Sequence, residues 1–150
     1  MNEKVALVRA YNQALSDNLT DLTALRAGLA PYLKEDTVCM EPTSAPWGGT
    51  WVGLDGFMRM FTIGARVIAD RFADGLPGPG QPEAFETADE YVVQGDVVIR
   101  RWVLDVPATA SQPAISLPCI ERYVVTGDKI DKIEVFFFDA ALLASLKAAA

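Results

Sequence analysis

The chain contains no histidine. That absence removes Ser–His and Cys–His nucleophilic systems, histidine-ligated zinc and the imidazole general base. Cysteine is almost as scarce. Its two residues, Cys39 and Cys119, each lie in an apolar run, and neither has a neighbour at metal-ligand spacing. Buried free thiols in a reducing compartment are therefore expected. Basic charge is thin as well: 13 Lys and Arg stand against 20 Asp and Glu, leaving a net charge of -7. The basic residues are scattered, and Arg100–Arg101 is the only adjacent pair. This balance argues against nucleic acid or an anionic membrane as the main partner. No apolar run reaches membrane-spanning length, and the opening "MNEKVALVRAY" lacks the apolar centre of a signal peptide. A soluble, cytoplasmic protein is the expectation. Any acid–base chemistry must rest on Asp, Glu, Tyr, Lys or Cys.

What is present is apolar and periodic. With 150 residues, 51% of them hydrophobic and 22% charged, the composition fits one globular domain spanning 1–150. Leu7, Val8, Tyr11, Ala14 and Leu15 recur at helical spacing, predicting a helix over 3–17. A second helix carries Leu22, Leu25 and Leu29 behind a cap at Thr20 or Asp21. Thr37–Glu41 reads as a short strand and "PTSAPWGGTWVG" as a loop. An apolar stripe of Phe57, Met60, Phe61, Gly64, Val67 and Ile68 predicts a third helix over 54–70. "ADGLPGPGQPE" then reads as a flexible turn.

From residue 85 the period becomes two. Strands are expected over 85–93, 97–106, 115–125 and 130–138, joined by "QGD", "PATASQP" and "TGD" as an antiparallel meander. A short helix over 140–147 follows. The order predicts an α+β domain with three N-terminal helices packed on one face of a curved sheet. The meander carries apolar residues on both parities, Val98, Trp102 and Leu104 against Val97, Ile99 and Val103. One helical layer cannot cover both, so a homodimer through the sheet face is expected.

"AYNQAL" in the first helix, "EDTVCMEP" leading into the Trp- and Gly-rich loop and "DGFMRMF", and the ending "ERYVVTGDKIDKIEVFFFDAALL" together resemble the nuclear-transport-factor-2-like superfamily of cone-shaped domains. The resemblance covers nearly the whole chain and implies a strongly curved, mostly antiparallel sheet. It implies little about function, because this fold hosts several chemistries and some pure binders. Ketosteroid isomerase is the nearest functional pattern. The resemblance places its first-helix tyrosine on Tyr11, its catalytic base on Glu41 before Pro42, and its second acid on Glu121 in "CIERYVV". In that enzyme a protonated acid completes an oxyanion hole. Both acids here are Glu where that pattern has Asp, and a displacement of one methylene matters to proton transfer. Scytalone dehydratase-like members need the histidine this chain lacks. The Asp–Arg–Asp set of limonene epoxide hydrolase-like members is also missing, since Arg101 matches the arginine but Val103 and Phe136 stand where carboxylates belong. Polyketide cyclase-like members remain compatible.

Each candidate has a plainer alternative. Glu41 shares a strand face with Thr37 and Cys39 and either ends the strand in solvent or faces a pocket as a base. Tyr11 is either a core residue or an oxyanion donor. Glu121 either pairs with Arg101, Arg122 or Lys132 across the sheet, or faces an apolar pocket with a raised pKa. Arg101 is then Glu121's partner or a ligand's anchor. Phe57, Phe61, Trp102 and Phe136 are core residues that can also line a site for a flat apolar ligand. Two functions follow: a cofactor-independent isomerase or cyclase acting beside a carbonyl of a steroid- or polyketide-like molecule, or a binding or dimerisation module of the same shape without turnover.

Overall fold

The computed structural model describes residues 1–71, 90–106, 108 and 113–146, without the side chains of 68–71 and 106. The expected turn after the third helix and the start of the next strand, 85–89, lie outside the described residues.

Helix α1 (Glu3–Asn18) starts at Asn2, whose Oδ1 accepts the backbone N–H of Lys4 at 2.9 Å, satisfying one of the orphan donors of a first turn. Its buried stripe is Val5, Val8, Tyr11 and Asn12. Helix α2 (Leu22–Leu29) is capped by Asp21, which accepts from Thr23 and Ala24 at 2.9 and 3.0 Å, and it buries Leu25 and Leu29. Strand β1 (Leu33–Glu41) begins earlier than the apolar pattern suggests. Its polar segment "KED" is held at an irregularity between Leu33 and Val38. There Thr37 Oγ1 donates to the carbonyl of Ile130 at 2.6 Å and accepts from the N–H of Lys34 at 2.7 Å. A side chain thus replaces the missing ladder bonds.

The expected loop over 42–53 contains a short strand, β2 (Gly49–Val52), antiparallel to the end of β1. Its Trp-Gly composition concealed four residues of pairing. Gly53 turns β2 into α3 (Gly53–Arg71) at φ +65°, where a Cβ would lie 2.7 Å from the carbonyl oxygen of Glu35. Only glycine fits both demands.

Strands β3 (Glu90–Gln94), β4 (Val97–Val106), β5 (Ile115–Thr126) and β6 (Lys129–Phe137) form the meander, followed by helix α4 (Ala140–Ser145). The sheet order is β2-β1-β6-β5-β4-β3, and among the described residues β1–β6 is the one parallel pair. It is a curled, unclosed sheet carrying helices α1, α2 and α3 on its inner face, the α+β cone expected. Burial alternates strictly along β5, where Ile115, Leu117, Cys119, Glu121, Tyr123 and Val125 face inward. Among the described residues no helix is long and apolar enough to cross a membrane.

Candidate functional site

The sheet register lays the inward side chains out in transverse rows. Met40 pairs with Glu134, so Glu41 stands beside Val135 one step along; Val135 pairs with Glu121, and Glu121 with Arg100. Glu41, Val135, Glu121 and Arg100 therefore cross the inner face in one row, with the two carboxylates two strand spacings, or about 10 Å, apart along the sheet. The next row holds Cys39, Ile133, Tyr123 and Val98 on one side. On the other side it holds Phe137, Cys119 and Trp102. Helix α1 lays Tyr11 and Asn12 over these rows.

Glu41 is half-buried at the end of β1. The stiff loop after it folds back through two successive turns, with Ala45 N–H donating to the Pro42 carbonyl and Gly48 N–H to the Ala45 carbonyl, both at 2.9 Å. Gly48 is obligatory: a Cβ there would meet the Pro42 oxygen at 2.2 Å. This fold-back brings Trp47 under the acid, so that its indole Nε1 donates to Glu41 Oε2 at 3.2 Å, while Trp51 Nε1 donates to the Trp47 carbonyl at 3.0 Å. Burial, and secondly the charge of Glu121, push the Glu41 carboxyl up to about 8; the Trp47 hydrogen bond works in the opposite direction. A carboxyl tuned to this range can both take and return a proton near neutrality.

Glu121 forms the ion pair that was its plainer alternative, with a different partner. Arg100 Nη1 donates to Glu121 Oε2 at 3.0 Å and to Asn12 Oδ1 at 2.8 Å. The Tyr123 hydroxyl donates to the same Glu121 oxygen at 2.6 Å and accepts from Asn12 Nδ2 at 3.2 Å; that Nδ2 also donates to the Val8 carbonyl at 2.8 Å. The four side chains bond one another in a buried network that ties α1 to β4 and β5.

Tyr11 is buried, and its ring meets that of Tyr123 edge-on at 6.1 Å. Among the described residues its hydroxyl makes no hydrogen bond. Burial holds its pKa well above the ordinary phenol value, helped by the neighbouring Cys39, Glu121 and Glu41 and opposed by Arg100. The phenol thus stays protonated and keeps its donor. The charges of Glu121 and Glu41 both raise the Tyr11 pKa, and that of Glu121 raises Glu41's.

Phe57 is fully buried and Phe61 half-buried on α3, and Trp102 lies on the inner face with the Arg100 guanidinium 4.9 Å from its ring centroid. Two expected site residues are elsewhere. Arg101 is exposed on the outer face and reaches Glu90 at 3.5 Å; Phe136 is 53% exposed on the same outer face. The parity of β4 explains the first. Val98, Trp102 and Leu104 point inward, so the inward arginine is Arg100, one residue from the expectation. Asn12 and Tyr123 were missed too, although Tyr123 shares the parity of Glu121 and Asn12 adjoins Tyr11. A surface cleft lined by Arg26, Lys34, Glu35 and Asp55 contains none of these residues.

No family model matches the sequence, and no curated protein matches it. Solved structures do. TerC, co-crystallised with polyporic acid, aligns with TM-score 0.71 at 17% identity over 97% of this chain and 98% of its own. A nuclear-transport-factor-2-like protein from Burkholderia xenovorans aligns with TM-score 0.67 at 17% identity over 96% and 95%. A SnoaL-like polyketide cyclase from Jannaschia aligns with TM-score 0.61 at 14% identity over 98% and 91%. The chain has the nuclear-transport-factor-2-like fold, the one that ketosteroid isomerase-like and SnoaL-like proteins share.

Proposed function

We propose that the inner face of the cone holds a small, largely apolar carbonyl compound and that Glu41 moves a proton at the carbon beside the carbonyl, making the protein an isomerase or cyclase. The observation that carries this reading is Glu41 itself: half-buried, anchored by Trp47 and titrating at about 8. Tyr11, a protonated donor with no described partner for its hydroxyl, is suited to the oxygen of the developing enolate. Glu121 serves as a positioning residue that holds Arg100 and Tyr123 in place. Carboxylate and phenol suffice for this chemistry, so the proposal invokes no metal or organic cofactor. The likeness to a SnoaL-like polyketide cyclase supports a polyketide-like substrate class, and that to TerC, crystallised with polyporic acid, supports a small-molecule ligand. Two buried free thiols fit a cytoplasmic setting.

The test is turnover of an enolisable ketone followed by exchange of its α-protons for deuterium. Glu41→Gln is expected to abolish exchange while leaving ketone affinity nearly unchanged, and the wild-type rate is expected to rise with pH through about 8 as the carboxyl ionises. A Glu41→Gln protein that exchanges as fast as wild type contradicts the assignment.

The buried network of Asn12, Arg100, Glu121 and Tyr123 favours a second reading. These four polar side chains bond one another, as suits a binder that orders its ligand without turning it over. Ligand binding without any exchange above background, in wild type and variant alike, selects it.

A further inference from the structure

The three indoles of this protein are not equally satisfied. Trp47 and Trp51 each donate their N–H within the fold. Trp102 does not: its Nε1 is the one buried side-chain nitrogen or oxygen, among the described residues, without a hydrogen-bond partner. A buried donor left unmade carries a desolvation penalty that folded proteins generally avoid. The exception sits on the inner face of β4, one row from the ion pair of Arg100 and Glu121, in a residue whose side chain is otherwise only half-buried. The ring is not loosely placed. Arg100 stacks on it at 4.9 Å, and Arg100 is itself fixed by Glu121 and Asn12. Its cross-strand neighbour is Cys119, beside Phe137, so its row neighbours among the described residues offer no side-chain oxygen acceptor.

From this we infer that Trp102 Nε1 is a ligand-binding donor, completed by an uncharged acceptor oxygen, a carbonyl or hydroxyl, at the end of the bound molecule remote from Glu41. The acceptor is neutral because Arg100 is already paired with Glu121, and an anion at Trp102 would lie one row from that carboxylate. The geometry also defines the ligand's span. Glu41 and Trp102 stand on β1 and β4, three strand spacings apart, or about 14 Å along the curled sheet. A rigid fused-ring molecule with an oxygen at each end fits that requirement, one end at Tyr11 and Glu41 and the other at Trp102. The inference rests on the inner face being a ligand pocket, and it does not depend on Glu41 acting as a base.

The probe is androstanedione, a rigid apolar diketone, titrated into protein labelled with nitrogen-15 at tryptophan. Binding is expected to move the Trp102 indole N–H resonance downfield while those of Trp47 and Trp51 stay nearly still. Trp102→Phe is expected to weaken binding about tenfold, the scale of one neutral hydrogen bond. Androstanedione bound with the Trp102 resonance unmoved, or bound equally by the Phe variant, overturns the inference while leaving the pocket reading intact. If the wild-type protein does not bind the diketone at all, both fall.

Discussion

At the scale of single residues, the chemistry depends on how unequally two glutamates are treated. Glu121 receives a guanidinium and a phenol, whereas Glu41 receives one indole N–H and the repulsion of Glu121 across the row. Burial, and secondly the Glu121 charge, raise the pKa of the Glu41 carboxyl. The consequence for stability follows from the sign of the shift. The folded pKa of Glu41, about 8, lies above the unfolded value of 4.5. Its contribution is therefore fully present below about 4.5 and lost as pH rises to about 8. Glu41→Gln, which cannot ionise, should gain stability over wild type by up to about 1.4 kcal/mol per pH unit across that window. Denaturant melts at several pH values check this; parallel curves for the two proteins would refute it. Tyr11→Phe removes only a hydroxyl from a ring that stays packed on Tyr123, and should lower turnover by roughly 10²–10³ with little change in stability. Glu41 was legible as a candidate because an acid followed by proline closes an apolar strand. Trp47 was not, because its approach to Glu41 depends on the fold-back at Gly48.

At the scale of elements, the polar network is what holds α1 on the sheet at this point. Asn12 comes from α1, Arg100 from β4, and Glu121 and Tyr123 from β5. Arg100 is 2% exposed and Glu121 12% in their side chains, so removing one partner strands a buried charge. Arg100→Met should cost about 3–5 kcal/mol. The double variant Arg100→Met with Glu121→Met should cost clearly less than the sum of the single changes. Equilibrium unfolding of the four proteins provides the cycle, and additive losses would mean that the pair is not coupled. The elements themselves were readable from periodicity: β4 runs over the expected residues, and α1 and β5 differ from expectation by one residue. β2 and the first part of β1 were not readable. Neither has an alternating pattern, since both exist through pairing with a neighbour and a Thr37 side chain that bonds backbone groups. The choice between Arg100 and Arg101 was likewise beyond the sequence. Both parities of β4 are apolar, and only the helices decide which side is inside.

At the scale of the molecule, the apolar excess of the sheet has one face left to occupy. Val92, Ile99 and Phe136 are 63%, 37% and 53% exposed on the outer face, among the ion pairs of Arg101 with Glu90 and Arg122 with Glu134. An apolar centre rimmed by charge suits a second copy of the chain. We therefore propose a homodimer through this face. Phe136→Asp should yield a folded monomer at micromolar concentration, measured by sedimentation; a wild-type monomer under the same conditions would contradict the dimer. The overall architecture was legible because helix-then-meander order with short turns leaves few arrangements, and a fold shared with structures of 14–17% identity is written in that order rather than in particular residues.

The claim on which the functional reading turns is that Glu41 is a carboxyl held near neutrality inside a ligand-accessible crevice. Carbon-13 titration of glutamate carboxyls, with Glu41 assigned by comparison with Glu41→Gln, measures this directly and needs no substrate. A midpoint of about 8 is expected. A midpoint at the ordinary glutamate value of 4.5 would show a solvated strand end instead of a tuned base.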